Sequence, residues 1–158
     1  MKQIVALLLF ALCVSTSGTS QESVTPNLAI SADSMNPIVK KFWDYRTDFN
    51  QYTGNLREDA VESSVARSLE DVAEHAADFA VATSTLLTVY EHLTCSADRD
   101  LTRRAIQHSA DLYAERLDTS IALTNLGLSA AHSPGVAQTA ARMKEDLRSL
   151  QSSLKSLE

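Results

Sequence analysis

The chain contains few of the residues that form tight turns or covalent links. Its 158 residues include only four glycines, three prolines and two cysteines. With so little material for turns, the sequence favours a few long elements over many short ones. The motifs CxxC, CxxCH and HExxH are missing, as are a Gly-rich phosphate loop and an N-x-[ST] sequon. These absences exclude the commonest signatures of zinc, haem, nucleotide and N-glycan sites.

Long apolar runs are also scarce, and the only prominent one lies at the start of the chain. It spans residues 4–14, follows Lys2 and precedes small polar residues. As a helix it would rise about 16 Å, roughly half the hydrocarbon core of a bilayer. This pattern predicts a secretory signal peptide at residues 1–20 and a secreted or periplasmic protein. Cys13 allows a lipoprotein signal as the alternative, although Leu12 stands where such signals resemble one another in carrying a small residue.

Positive charge is limited as well. Removal of residues 1–20 takes away Lys2, so 13 of the 14 Lys and Arg remain against 20 Asp and Glu, a net charge of −7. Nucleic acids and anionic lipids bind concentrated basic faces, so neither is an expected partner. We also expect no stable membrane insertion of the mature chain.

Cleavage would leave a single cysteine. An exported chain that carries Cys95 alone cannot form an internal disulfide. Cys95 is therefore a candidate for an intermolecular disulfide, most simply in a symmetric homodimer.

Helical periodicity dominates the rest of the sequence. Residues 21–35 lack a sustained period, which predicts an extended arm held to the domain by Leu28 and Ile30. After the arm, apolar residues recur every three or four positions in four stretches, which begin at Asn36–Pro37, near Asn55, near Ser96 and at Ser133–Pro134. Short connections make successive helices antiparallel, so residues 36–158 are predicted to form an all-α, up-down four-helix bundle.

Aromatic residues are concentrated in the first of these helices. Phe42, Tyr45, Phe49 and Tyr52 share one face and are predicted to form a core stripe. Folding of the chain about residues 54–55 would place this stripe opposite the small residues of 60–66.

Trp43 lies off that stripe and near Val39. It is predicted either to support the arm or to anchor a protein partner, together with Val39. The fourth helix has a narrow leucine stripe, which indicates either loose packing on its own bundle or contact with another chain.

The residues suited to catalysis do not converge. None of the four histidines follows a Glu by three positions, the pattern that bundle metal sites use. His92 and Cys95 are placed on the solvent side near the end of the second helix, where the helix dipole and Glu91 both disfavour a reactive thiolate. We therefore predict no catalytic residue, metal or other cofactor.

These observations predict a non-catalytic module that binds a protein partner or a second copy of itself through helix faces. The alternative is a carrier of a small apolar ligand, held between the first two helices among Phe42, Phe49 and Tyr52. A metal- or thiol-dependent enzyme is the third hypothesis.

Overall fold

The computed structural model describes residues 28, 30–56 and 58–157, and these residues form four α-helices with no β-strand. The helices are α1 (Ala32–Asn55), α2 (Ala60–His92), α3 (Ser96–Ala130) and α4 (Pro134–Lys155). The predicted all-α class and four-helix bundle are confirmed for this part of the chain. The predicted signal peptide lies outside the described residues.

Side-chain contacts show that neighbouring helices run in opposite directions. Between α1 and α2, Arg46 Nε donates to Glu74 at 2.9 Å and the Asn50 amide donates to Glu70 at 3.0 Å. The other neighbours are joined by the pairs Phe79–Tyr113 and Tyr90–Arg99 (α2 and α3), Ala114–Gln151 (α3 and α4), and Tyr45–Asp146 and Tyr52–Thr139 (α1 and α4). Helices α1 and α3 therefore occupy opposite corners of the bundle.

The first helix begins earlier than predicted. Ser31 is its N-cap, and the Ser31 side chain accepts a backbone N–H of the first turn. The prediction that residues 32–35 belong to the arm, with Asn36 as the N-cap, is therefore wrong. Pro37 lies in the second turn, where it forgoes one helical hydrogen bond. The added turn buries Met35 completely, which offsets that loss.

The glycine at position 127 predicts that the third helix ends at about Leu126, but the helix continues past it. Gly127 lies inside α3, which ends at Ala130. A Cβ atom on Gly127 would lie only 2.9 Å from Cδ2 of Leu69. The glycine therefore permits a close approach between α2 and α3, and it does not terminate the helix.

The fourth helix agrees with its prediction at the N-terminus, since Ser133 is the N-cap and Pro134 the first helical residue. Its apolar stripe is almost fully buried and consists of Val136, Ala140, Met143, Leu147, Leu150, Leu154 and Leu157. The leucines of α4 therefore belong to the core of their own bundle. The interpretation that they contact another chain is wrong.

Helices α1 and α2 pack in a different register from the predicted one. The turn between them is centred near residue 58 rather than 54–55, because α1 runs through Asn55 and α2 starts only at Ala60. The aromatic rings of α1 therefore lie level with the middle of α2, where buried alanines accommodate them: Ala73, Ala76, Ala77 and Ala80. Large side chains still face small ones, as predicted, but the small ones are not in residues 60–66.

Two glutamates of α2 accept N–H groups from the ends of other helices. Glu62 is 2% exposed, and its two carboxylate oxygens accept the N–H groups of His132 at 2.8 Å and Ser133 at 2.9 Å. Near the opposite end of α2, Glu91 Oε1 accepts the N–H of Ala32 at 2.9 Å. These bonds supply acceptors to backbone donors that a helix cannot satisfy internally.

Removal of the Glu62 carboxylate should destabilise the bundle. We expect Glu62→Ala to lower the free energy of unfolding by about 2–4 kcal/mol, because two backbone donors lose a charged acceptor. Glu62→Gln, which keeps one acceptor oxygen, should lower the free energy of unfolding by less than Glu62→Ala does. Urea unfolding followed by circular dichroism measures both effects. The exposed neighbour Glu58 provides the control, and equal stabilities of Glu62→Ala and Glu58→Ala would contradict the assignment.

A carboxylate also joins α4 to α1. Asp146 accepts a hydrogen bond from the Tyr45 hydroxyl at 2.6 Å and pairs with the Lys41 ammonium at 2.8 Å. Burial of the ring, together with this bond to Asp146, raises the pKa of Tyr45 well above its ordinary value. The folded protein therefore holds the phenolic proton more tightly than the unfolded chain does.

This raised pKa predicts a loss of stability at alkaline pH. The contribution of Tyr45 is complete below the ordinary tyrosine pKa of about 10 and is lost as the pH rises above it. The stability difference between the native protein and Tyr45→Phe should therefore shrink between pH 9 and 11. Urea unfolding at several pH values tests this, and a constant difference would refute it.

Candidate functional site

The outer surface of α3 carries a group of exposed leucines. Leu101, Leu112, Leu123 and Leu126 are 54%, 41%, 48% and 67% exposed. We call these four residues the leucine face. The apolar pattern of the third helix predicts Leu101 as a core residue, and its exposure shows that this prediction is wrong. The other large exposed apolar side chains of the described residues are Trp43, Val61 and Val81, which lie on α1 and α2.

The leucine face follows one line along the helix. Leu101, Leu112 and Leu123 are eleven residues apart, which is three helical turns with a drift of only about 20°. Leu126 lies one turn further on, so the line is about 37 Å long. The opposite side of α3 buries Ile106 and other apolar residues against the bundle. Helix α3 therefore carries exposed leucines on the side that the bundle does not cover.

Acidic residues are distributed unevenly between α2 and α3, the helix that carries the leucine face. Helix α2 carries six Asp and Glu against one Arg, whereas α3 carries five Asp and Glu against four Arg. Most of the acidity of the chain therefore lies away from α3. Electrostatic repulsion does not prevent two copies of the leucine face from approaching each other.

Trp43 is the most exposed aromatic residue among the described residues. It is 37% exposed, and the Arg46 guanidinium lies 5.3 Å from the ring centroid. Its predicted neighbour Val39 is half-buried. Trp43 and Val39 thus form a small surface beside α2, and the use of this surface by a partner stays a prediction.

The described arm residues Leu28 and Ile30 do not lie beside this tryptophan. Leu28 and Ile30 line a cavity with Leu87 and Tyr90, at the end of α2. Trp43 lies about 16 Å further along α1 than the first helical residue. The predicted packing of Leu28 and Ile30 onto the domain is seen, but at a different place from Trp43.

The predicted apolar ligand site between α1 and α2 is filled by the protein itself. Phe42 and Phe49 have no exposed surface, and Tyr52 is half-buried with its hydroxyl 3.4 Å from Thr139 Oγ1. A cavity of about 510 Å³ does lie between these helices. Its lining is largely polar and includes Asn50, Thr53, Ser63, Ser64 and Arg67. The two phenylalanines therefore offer no surface to a ligand here.

Cys95 is exposed and free, but its place in the fold differs from the prediction. Leu93 leaves the helical conformation, with φ −75° and ψ 131°, so α2 ends at His92 and Cys95 becomes the N-cap of α3. His92 is exposed, and its Nδ1 lies 2.8 Å from the carbonyl of Thr88. The described residues contain no group of three or more His, Cys, Asp or Glu side chains that could hold a metal ion.

No known protein family, curated protein or solved structure matches this chain. None of the described helices combines the length and apolarity needed to cross a membrane. A function must therefore be inferred from the surface of the described residues.

Sequence reasoning missed the leucine face, although the sequence contained its signal. An eleven-residue leucine repeat fits the same helix as the core stripe but points to another side. The apolar pattern of α3 counts Leu101 among the core residues, whereas Leu101 belongs to the eleven-residue repeat.

The exposed thiol generates a prediction about covalent dimers. Oxidation of the purified protein with glutathione disulfide should give a dimer on a non-reducing gel, because the Cys95 side chain is accessible. Cys95→Ser should abolish the dimer, whereas Ser96→Ala, at the exposed neighbouring residue, should leave it intact. A dimer that persists in Cys95→Ser, or no dimer at all, would contradict this role.

Proposed function

We propose that this is an exported, non-catalytic protein that self-associates through the leucine face of α3. The observation that carries the proposal is the exposure of four leucines along one line of one helix. The leucines recur on one side of α3 with exposed polar residues such as His108 and Thr119 between them, and this recurrence marks a candidate interaction surface. Export is supported by the signal-peptide pattern of residues 1–20, which places the protein outside the cell or in a periplasm.

A parallel two-fold arrangement uses this surface best. In a parallel pair of α3 helices related by a two-fold axis, each leucine lies at the same height as its own copy. In an antiparallel pair centred on Leu112, Leu101 would meet Leu123, but Leu126 would face Asp98. The parallel pair also brings both copies of Cys95 to the same end. The candidate disulfide and the leucine face therefore support the same dimer.

The size of the face indicates weak association without the disulfide. A strip about 37 Å long and roughly 10 Å wide covers about 400 Å² on each copy, about half of what standard stable interfaces bury per partner. We therefore expect micromolar affinity, about −8 kcal/mol. A disulfide at Cys95 would turn this into an intramolecular contact and stabilise the dimer strongly.

Disruption of the leucine face should separate the dimer. In a Cys95→Ser background, Leu112→Glu should weaken self-association at least tenfold, because each copy would bury an unpaired charge. Sedimentation velocity over a range of concentrations measures the dissociation constant.

A matched control is available on α2. Val81 is 41% exposed, as Leu112 is, so Val81→Glu adds the same charge at the same exposure but outside the leucine face. Its dissociation constant should stay at the native value. Equal weakening by the two substitutions, or a native protein that remains monomeric at millimolar concentration, would reject the proposed interface.

A further inference from the structure

A second cavity lies at the end of the bundle where α2 finishes and α3 begins. Its volume is about 310 Å³. The apolar part of its wall consists of Leu28, Ile30 and Leu87, and the polar side chains in its lining include Tyr90 and Arg99. The cavity is therefore built from three separate parts of the chain: the arm, α2 and α3.

Two buried polar atoms of residues that line this cavity have no hydrogen-bond partner among the described residues. They are the hydroxyl of Tyr90, a residue that is 4% exposed, and the Nε of Arg99. The Arg99 guanidinium lies over the Tyr90 ring, 4.9 Å from its centroid, which holds the two side chains together. A buried donor without an acceptor is costly, so both groups favour a ligand that brings oxygen atoms to them.

The charged groups around the cavity are compatible with an anion. Arg99 contributes a positive charge, and no ion pair with a carboxylate of the described residues neutralises it. Glu91 contributes a negative charge, but one of its oxygens accepts the N–H of Ala32 at 2.9 Å. Ser31, the N-cap of α1, also lines the cavity, so the positive end of that helix dipole faces this region.

We propose that the Tyr90–Arg99 cavity binds a small monocarboxylate with an apolar tail. The Tyr90 hydroxyl and Arg99 Nε–H donate to the carboxylate oxygens, and the tail lies against Leu28, Ile30 and Leu87. Charge-assisted hydrogen bonds of this kind are the stronger class. This binding site goes beyond the proposed self-association and does not depend on it.

The volume sets the size of the ligand. A water molecule occupies about 30 Å³ in the liquid, so the cavity has room for roughly ten of them. A carboxylic acid with about ten non-hydrogen atoms fits this space. Octanoate has that size and is a suitable probe.

Isothermal titration calorimetry of the purified protein with octanoate tests the proposal. We expect a dissociation constant below about 1 mM, as ligand efficiency allows for a molecule of this size. Octan-1-ol, which has the same chain without the charge, should bind at least tenfold more weakly. Equal binding of the alcohol would show an apolar cavity without carboxylate recognition and would overturn the proposal, as would no binding of octanoate.

Variants test the two donors. Tyr90→Phe and Arg99→Met should each weaken octanoate binding about tenfold or more. The control is Arg104→Met, on an exposed arginine of α3 whose Nε donates to the carbonyl of Asp100, and its binding should stay at the native value. Native affinity in both Tyr90→Phe and Arg99→Met would overturn the proposal.

Thermal unfolding separates ligand binding from a structural role of Tyr90. Ligand-free Tyr90→Phe should be at least as stable as the native protein, because it loses a hydroxyl that has no partner. A lower unfolding temperature in the absence of ligand would assign the hydroxyl to the fold instead. Ile30→Trp, which fills the cavity from the arm without altering a helix, should abolish octanoate binding, and unchanged binding would place the ligand elsewhere.

Discussion

Two carboxylates of α2 hold the N-terminal ends of two other helices, and the arrangement of the bundle depends on them. Glu62 accepts N–H groups from the connection that leads into α4, and Glu91 accepts the first N–H of α1. About 43 Å of continuous helix separate the two glutamates. Helix α2 therefore holds the first residue of α1 and the two residues that precede α4, through backbone N–H groups that no helix satisfies internally.

The positions of the other helices around α2 explain where the exposed apolar surface lies. Helix α3 contacts α2 and α4, and α1 occupies the opposite corner, so the outer side of α3 faces solvent. The leucine face lies on that side. The Tyr90–Arg99 cavity has a related origin, because the end of one helix and the starts of two others meet there. Helix ends bring unpaired polar groups next to the apolar core, which is the combination that binds amphipathic ligands.

Periodicity predicted the four helices and most of their core faces, because the three-four spacing directly encodes the buried side of a helix. Periodicity failed to predict the features that depend on contacts between distant parts of the chain. The local signal favours Asn36–Pro37 as the start of α1, but the burial of Met35 and the bond from the Ala32 N–H to Glu91 place the start at Ser31. The exposure of Cys95 could be predicted, since it needed only the position of a helix end. The Tyr90–Arg99 cavity could not be predicted, because its walls come from three segments and the spacing of residues in the sequence does not show how these segments pack together.

The close contact at Gly127 has a consequence for how this sequence can change. The Leu69 side chain occupies the space that a side chain at position 127 would need, since a Cβ on the glycine would lie 2.9 Å from the leucine methyl group. A side chain gained at one position must be matched by atoms lost at the other if the helices are to keep their separation. In any lineage that retains this bundle, the two positions should therefore vary as a pair, although 57 residues of sequence lie between them.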